Sequence, residues 1–166
     1  IFYPKEYYTA FFSIRADSFN YEVMCLGRET LDRHLRLLRS STEKLSAKDQ
    51  GMIKDMRIVQ EMYARGFEFV PIDLYKAKAT RFQIIDGKIM PSFLSIDGLG
   101  EKVAVAIEEA AKDGPFLSLE DFSARTKATS TNVAVMKRLG LFGGLPDTNQ
   151  LDFMSMLEAW DDEQRG

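Results

Sequence analysis

Ile96-Asp97-Gly98-Leu99-Gly100, followed at once by Glu101 and Lys102, is the run in this 166-residue chain whose residue types could hold an anion. Two glycines flanking one apolar residue permit a tight turn with φ values that other residues avoid. Leu99 can plug the core beneath such a turn, while the amides of Gly98 and Gly100, with no Cβ in the way, come close to a negative group. A helix opening at Glu101 adds unpaired N–H groups and the positive end of its dipole. Together these features make a phosphate seat, and Lys102 in the first helical turn adds charge. Asp97 acts against it, since a carboxylate repels phosphate, and Gly-x-Gly before a helix is also common as a plain turn. The order apolar, any residue, Gly, apolar, Gly, set between Phe93-Leu94-Ser95-Ile96 and a strongly helical segment, favours the seat.

Ser118–Leu145 reads as a second, degenerate copy of the same loop–helix unit. Its turn, Thr126-Lys127-Ala128-Thr129-Ser130, lacks the glycines but keeps Lys127 and the hydroxyls of Thr129, Ser130 and Thr131. Those hydroxyls can cap the next helix or meet a phosphate, and capping alone explains them at least as well. Lys137 and Arg138 could assist, as could Lys76, Lys78 and Arg81 further upstream.

The elements that would carry these turns are mainly helical. Pro4 suits a first helical turn, and Tyr7, Tyr8, Phe11, Phe12 and Arg15 follow at helical spacing. A second helix is expected from about Asn20 to Arg39, with Val23, Met24, Leu31, Leu35 and Leu38 as its apolar stripe. Ser46 and Asp49 form a capping pattern for a third, which Gly66 stops. Phe67 to Leu74, interrupted by Pro71, reads as an extended edge segment. Phe82 to Met90 reads as a hairpin, because Asp86-Gly87 supplies the positive φ values of a type I′ turn. Helices return at about Glu101–Lys112, Ser118–Thr126, with Ser118 and Asp121 in a capping pattern, and Thr131–Leu139.

Composition excludes several chemistries. Cys25 is the only cysteine and His34 the only histidine, so no intrachain disulfide and no Cys/His zinc site can form. No apolar run approaches the roughly 20 residues that span a bilayer, and the N-terminus has no signal-peptide pattern; a soluble cytoplasmic chain is expected. The net charge of −3 argues against nucleic acid until its distribution is considered. Asp147, Asp152, Glu158, Asp161, Asp162 and Glu163 against Arg165 alone give residues 146–166 a net charge of −5, leaving +2 on the first 145. Such asymmetry marks an interaction tail. The start at Ile1, running straight into aromatic residues, is read as a cut inside a longer protein.

The turn at 96–100 resembles the helix–hairpin–helix motif, which grips the DNA backbone without reading bases. A broader resemblance runs over nearly the whole chain. It rests on Tyr3-Pro4 with Glu6-Tyr7-Tyr8, Phe12-Ser13-Ile14-Arg15-Ala16-Asp17, Arg65-Gly66-Phe67-Glu68-Phe69 and Pro71-Ile72-Asp73-Leu74-Tyr75. Phe116 to Phe122 with Arg125, then Leu139-Gly140 to Leu145-Pro146, complete it. In this order they resemble the C-terminal region of bacterial DNA polymerase III alpha subunits, closest to the PolC type of Gram-positive bacteria. The resemblance implies that the polymerase carboxylates and their magnesium lie upstream in the palm, and that this stretch carries no catalytic residue and no cofactor of its own. It also implies a clamp-binding peptide, Gln-Leu-x-Leu-Phe, at Gln150-Leu151-Asp152-Phe153-Met154, which departs from the pattern at Phe153 and Met154. Leu151, Phe153, Met156, Leu157 and Trp160 could instead form a small docked helix.

The expected architecture is a helical remnant of the polymerase fingers over 1–66 and a β-rich connector over 67–95. A tandem helix–hairpin–helix unit, second copy degenerate, follows over 96–145, then an acidic flexible tail over 146–166. Ile96, Gly98, Leu99, Gly100, Glu101, Lys102, Lys127, Thr129, Ser130, Lys137 and Arg138 are expected to face duplex DNA. Gln150, Leu151, Asp152, Phe153 and Met154 are expected to face a sliding clamp, and other surfaces the rest of the polymerase chain. A monovalent cation on the carbonyls of Ile96, Gly98 and Gly100 is carried over from helix–hairpin–helix modules. Two rivals stand: a protein-interaction module whose hairpins are purely structural, and a small nuclease, which would need a carboxylate–metal cluster.

Overall fold

A computed structural model describes residues 4–40, 44–147, 157 and 160–165. Helix α1 spans Pro4–Ile14 and turns Tyr8 and Phe12 inward, one turn apart. The Phe12 ring lies 5.1 Å from Phe19, 5.7 Å from Phe69 and 5.8 Å from Phe82. Phe69 and Phe82 belong to the connector, so the connector and the first helices share one aromatic core. Two polar contacts reinforce that union. The Phe82 amide donates to Ser13 Oγ at 2.8 Å, and the Ile72 amide donates to the Tyr21 hydroxyl at 3.3 Å.

The helix expected over 20–39 is two helices, α2 (Tyr21–Met24) and α3 (Arg28–Arg39). Tyr21, Met24, Leu31 and Leu35 are all buried and fall on one helical stripe, so the apolar pattern crosses the break unchanged. The break comes at Gly27, with φ of 112°, a conformation no helix accommodates. A distant group satisfies the freed end: the Tyr63 hydroxyl donates to the Met24 carbonyl at 2.8 Å. Helix α4 (Ala47–Ala64) opens on the Ser46 cap and packs antiparallel to α3, and Gln60 Nε2 reaches Asp32 Oδ1 at 2.9 Å.

The hairpin pairs β1 (Gln83–Ile85) with β2 (Lys88–Met90) in the register Gln83↔Met90, Ile84↔Ile89, Ile85↔Lys88. Asp86 and Gly87 both hold positive φ, as a type I′ turn requires. The extended segment near Phe69 lies beside β2: Val70 donates to the Ile89 carbonyl at 2.9 Å, and Ile89 to the Glu68 carbonyl at 3.0 Å. Downstream, the Lys78 and Ala79 carbonyls accept the Phe93 and Leu94 amides, and Ala79 donates to Glu108 Oε1 at 2.9 Å. The 76–81 segment is thereby fastened to the next helix.

That helix is α5 (Glu101–Lys112), followed by α6 (Leu119–Arg125) and α7 (Ser130–Arg138). Arg125 locks α5 to α6. Its guanidinium donates to the carbonyls of Ala110 at 2.7 Å, Gly114 at 2.9 Å and Pro115 at 2.9 Å, and lies 4.5 Å from the Phe116 ring centroid. The planar fork suits several fixed acceptors at once. Phe122 stands edge-on to Phe116 and to Phe142, 4.9 Å from each. The tail expected to be free from residue 146 is tied down at its start, because Pro146 and Asp147 accept the Leu119 and Glu120 amides at 2.9 and 3.1 Å. A helix start leaves its first amides without partners, and these two carbonyls serve α6 in that way.

Candidate nucleic-acid interface

The turn before α5 takes the form its glycines suggest. Gly98 holds φ at 84°, while Ile96 and Leu99 are buried and Leu99 is only 4% exposed. Asp97, Gly98, Gly100, Glu101 and Lys102 face solvent. Gly100 is the N-cap of α5, with φ −73° and ψ 163°, and no side chain bonds to the helix start there. Among the described residues, the amides of Gly98 and Gly100 and of the first helical residues Glu101, Lys102 and Val103 donate to no protein acceptor. Five amides without a protein acceptor therefore fall within residues 98–103, at the positive end of a 12-residue helix. Asp97 and Glu101 edge it with negative charge and Lys102 with positive.

The carbonyls of the turn point to other partners. Ile96 O accepts Leu99 N at 3.1 Å, and Gly100 O accepts Ala104 N at 3.0 Å. Gly98 O accepts Asn132 Nδ2 at 3.2 Å. All three carbonyls named for a monovalent cation thus already hold a donor.

The second turn is organised differently. Thr126 is buried; its hydroxyl donates to Phe122 O at 2.7 Å and accepts from Ala128 N at 3.2 Å. Thr129 is the N-cap of α7. Its hydroxyl accepts Asn132 N at 3.2 Å, while Asn132 Oδ1 accepts Thr129 N at 3.1 Å and the Thr129 hydroxyl at 3.0 Å. Of the two uses open to the Thr129 hydroxyl, the structure shows capping. Lys127 and Ser130 remain exposed at the turn.

Lys137 and Arg138 sit at the far end of α7, about 12 Å along the helix from the turn at 1.5 Å per residue. Lys137 reaches Asp147 at 3.4 Å, and Arg138 makes a two-pronged pair with Glu22 of α2. The structure does not bring these two to the hairpins. It does bring Lys78, Thr80 and Arg81 to α5, where with Glu101, Val105 and Glu108 they line a groove of about 380 Å³.

Asn132, only 9% exposed, is the residue that sequence reading missed. Its signal was present, since Thr129-x-x-Asn132 has the spacing of a capping box, but nothing local said that its amide would reach residue 98. Gln150, Leu151, Asp152, Phe153 and Met154 lie outside the described residues. Elsewhere, burial pushes the Cys25 thiol well above its usual value, which marks a core residue. Burial, with the hydrogen bond to Glu61, pushes the Tyr8 phenol up to about 12. Among the described residues no group of three or more His, Cys, Asp or Glu side chains could hold a metal ion. No helix among them is long and apolar enough to cross a membrane.

One turn, 96–100, leads from the short 3-10 helix Phe93–Ser95 into α5, and a second, 126–129, joins α6 to α7, the alternation of helix, turn and helix that defines a class of fold. The family model described as "Helix-hairpin-helix motif" matches residues 66–151, and the chain belongs to that family. Over nine-tenths of its length the chain is also similar to one stretch of DNA polymerase III of the PolC type. It is 35% identical over 151 residues to the "DNA polymerase III PolC-type" of Clostridium perfringens, covering 91% of this chain and 10% of that protein. The protein of the same name from Listeria monocytogenes is 38% identical over 152 residues, covering 91% and 10%, and that of Streptococcus pneumoniae 35% over 159 residues, covering 95% and 11%. The chain spans about a tenth of the length of these relatives.

Proposed function

We propose that this chain is the duplex-holding region of a PolC-type DNA-directed DNA polymerase, acting in the cytoplasm and taking no part itself in bond making. The observation that carries this reading is the set of free amides at Gly98, Gly100 and the start of α5, in a chain similar to part of such polymerases. A phosphate oxygen seated there meets several main-chain donors at once, reads no base, and so suits a protein that must move along any sequence. Lys102 and Lys127 flank the seat, and Lys78 and Arg81 extend the basic rim. Polymerase catalysis, with its divalent metal, belongs to carboxylates outside this stretch. Residues 150–154 are proposed to engage the sliding clamp, with Leu151, Phe153 and Met154 as apolar anchors and Gln150 as the hydrogen-bonding group.

With so few phosphate contacts, the chain binds duplex in the non-specific range, about 10⁻⁴–10⁻⁶ M, and loses affinity as salt rises. Gly100→Asp provides the test. A Cβ at this position meets nothing within 4 Å and φ is negative, so the backbone accepts it. Aspartate is a better N-cap than glycine by a few tenths of a kcal/mol. Thermal stability should therefore hold or rise while affinity for a fluorescent duplex falls about tenfold, or ~1.4 kcal/mol. Equal binding by the two proteins would defeat the seat and favour the purely structural reading of the hairpins. For the clamp, Leu151→Ala with Phe153→Ala should abolish co-elution with a bacterial sliding clamp and leave duplex binding intact.

A further inference from the structure

We propose that Asn132, through its side-chain amide, is a positioning residue that holds the phosphate seat in shape, so that the glycine-free second hairpin acts as a brace for the first. The inference rests on the seat described under the proposed function. Asn132 is at the third position of α7 and only 9% exposed. Its carbonyl oxygen is committed to Thr129, accepting both the main-chain N–H and the hydroxyl. That commitment orients the amide, and its NH₂ is left aimed across 34 positions of sequence at Gly98 O, 3.2 Å away.

The carbonyl it grips belongs to the peptide linking Gly98 to Leu99. The N–H of the same peptide donates to Ile96 O at 3.1 Å. One planar unit is thus pinned at both ends. The amides of Gly98 and Gly100 lie on the peptides either side of it, so holding this plane removes part of the freedom with which they can turn. Gly98, at φ 84°, otherwise has more freedom than any other residue type. A turn built on it needs an external hold if its donors are to point one way before the ligand arrives. The buried Leu99 side chain anchors the turn to the core but does not set the tilt of this peptide; the Asn132 amide does.

The test uses the whole chain and a labelled duplex, with Ser118→Ala as the comparison. Ser118 caps α6 by accepting Asp121 N at 3.0 Å, so its loss weakens a neighbouring helix start without touching the seat. Asn132→Ala should weaken duplex binding about three- to tenfold, the loss expected of one hydrogen bond, whereas Ser118→Ala should leave affinity within twofold at similar thermal stability. In the DNA-free protein, Asn132→Ala should move the Gly98, Leu99 and Gly100 amide resonances and speed exchange of the hydrogen-bonded Leu99 amide, and Ser118→Ala should not. In a Gly100→Asp background, Asn132→Ala should change affinity by less than twofold, because the part it positions is already disabled. Wild-type affinity and unmoved turn resonances in Asn132→Ala, with Gly100→Asp still defective, would overturn the brace and leave the seat standing. If Gly100→Asp binds like wild type, the seat falls and the brace with it.

Discussion

The turn before α5 and the turn before α7 each lead into a helix of one motif, yet they use side chains differently. The first leaves its amides to solvent, with Gly100 offering no side-chain cap. The second closes on itself, with Thr126 bonded to Phe122 and Ala128, and Thr129 locked to Asn132 in a complete capping box. Even the start of α6 is covered, by the carbonyls of Pro146 and Asp147. A turn without side-chain bonds can bind but is poorly held, and a turn tied by its own side chains is better held but has fewer groups left to bind with. Side by side, linked through Asn132 and Gly98, they divide those tasks. A degenerate copy of a motif is therefore not necessarily an idle one.

The largest effect expected from breaking this division comes from the packing under the second turn. Phe122→Ala removes a fully buried ring that touches Phe116 and Phe142, and should cost about 3–5 kcal/mol in urea unfolding. If the second hairpin is the rigid partner, a fragment of this loss appears as faster exchange of the Leu99 amide, which donates to Ile96 O, in native conditions. A smaller effect separates the charges of the two turns. Lys102→Ala should lower the slope of log affinity against log salt by about 1, as for one phosphate contact. Lys127→Ala should lower it by less, since the second turn has no glycines and two of its amides, on Ala128 and Thr129, are taken up by Thr126 and Asn132; equal slopes would erase the distinction. The smallest effect concerns the tether of α7. The Arg138 hydrogen bond holds the Glu22 carboxyl below the usual carboxylate range. A folded-state value below the unfolded one contributes stability above the unfolded glutamate value, about 4.3, and loses it as pH falls through the lowered folded value. Both side chains are largely exposed, so the contribution is small. Glu22→Gln should flatten the acid limb of stability against pH slightly, measured by urea midpoints from pH 6 to pH 3.

Particular residues show what was legible before any coordinates. The α5 boundaries at Glu101 and Lys112, the Ser46 and Ser118 caps, the Asp86-Gly87 turn and the Leu99 plug were all readable. Each depends on atoms within a few residues of one another, where residue type restricts φ or supplies a neighbouring acceptor. Gly27 misled, because the apolar stripe of α2 runs on into α3 and a glycine within such a stripe is tolerated by many helices. Lys137 and Arg138 were placed with the hairpins on charge alone, and their partners proved to be Asp147 and Glu22.

By itself, then, the sequence determined the open half of the site: two glycines, a buried leucine and a helix start leave main-chain amides without local partners. Only the tertiary structure decided how that half is held. The Asn132 amide meets the Gly98 carbonyl, the Tyr63 hydroxyl meets the Met24 carbonyl, and the Pro146 carbonyl meets the Leu119 amide across separations that leave no periodicity to read. A main-chain carbonyl looks the same in every residue. Which distant donor it receives depends on how the core packs, not on its own side chain.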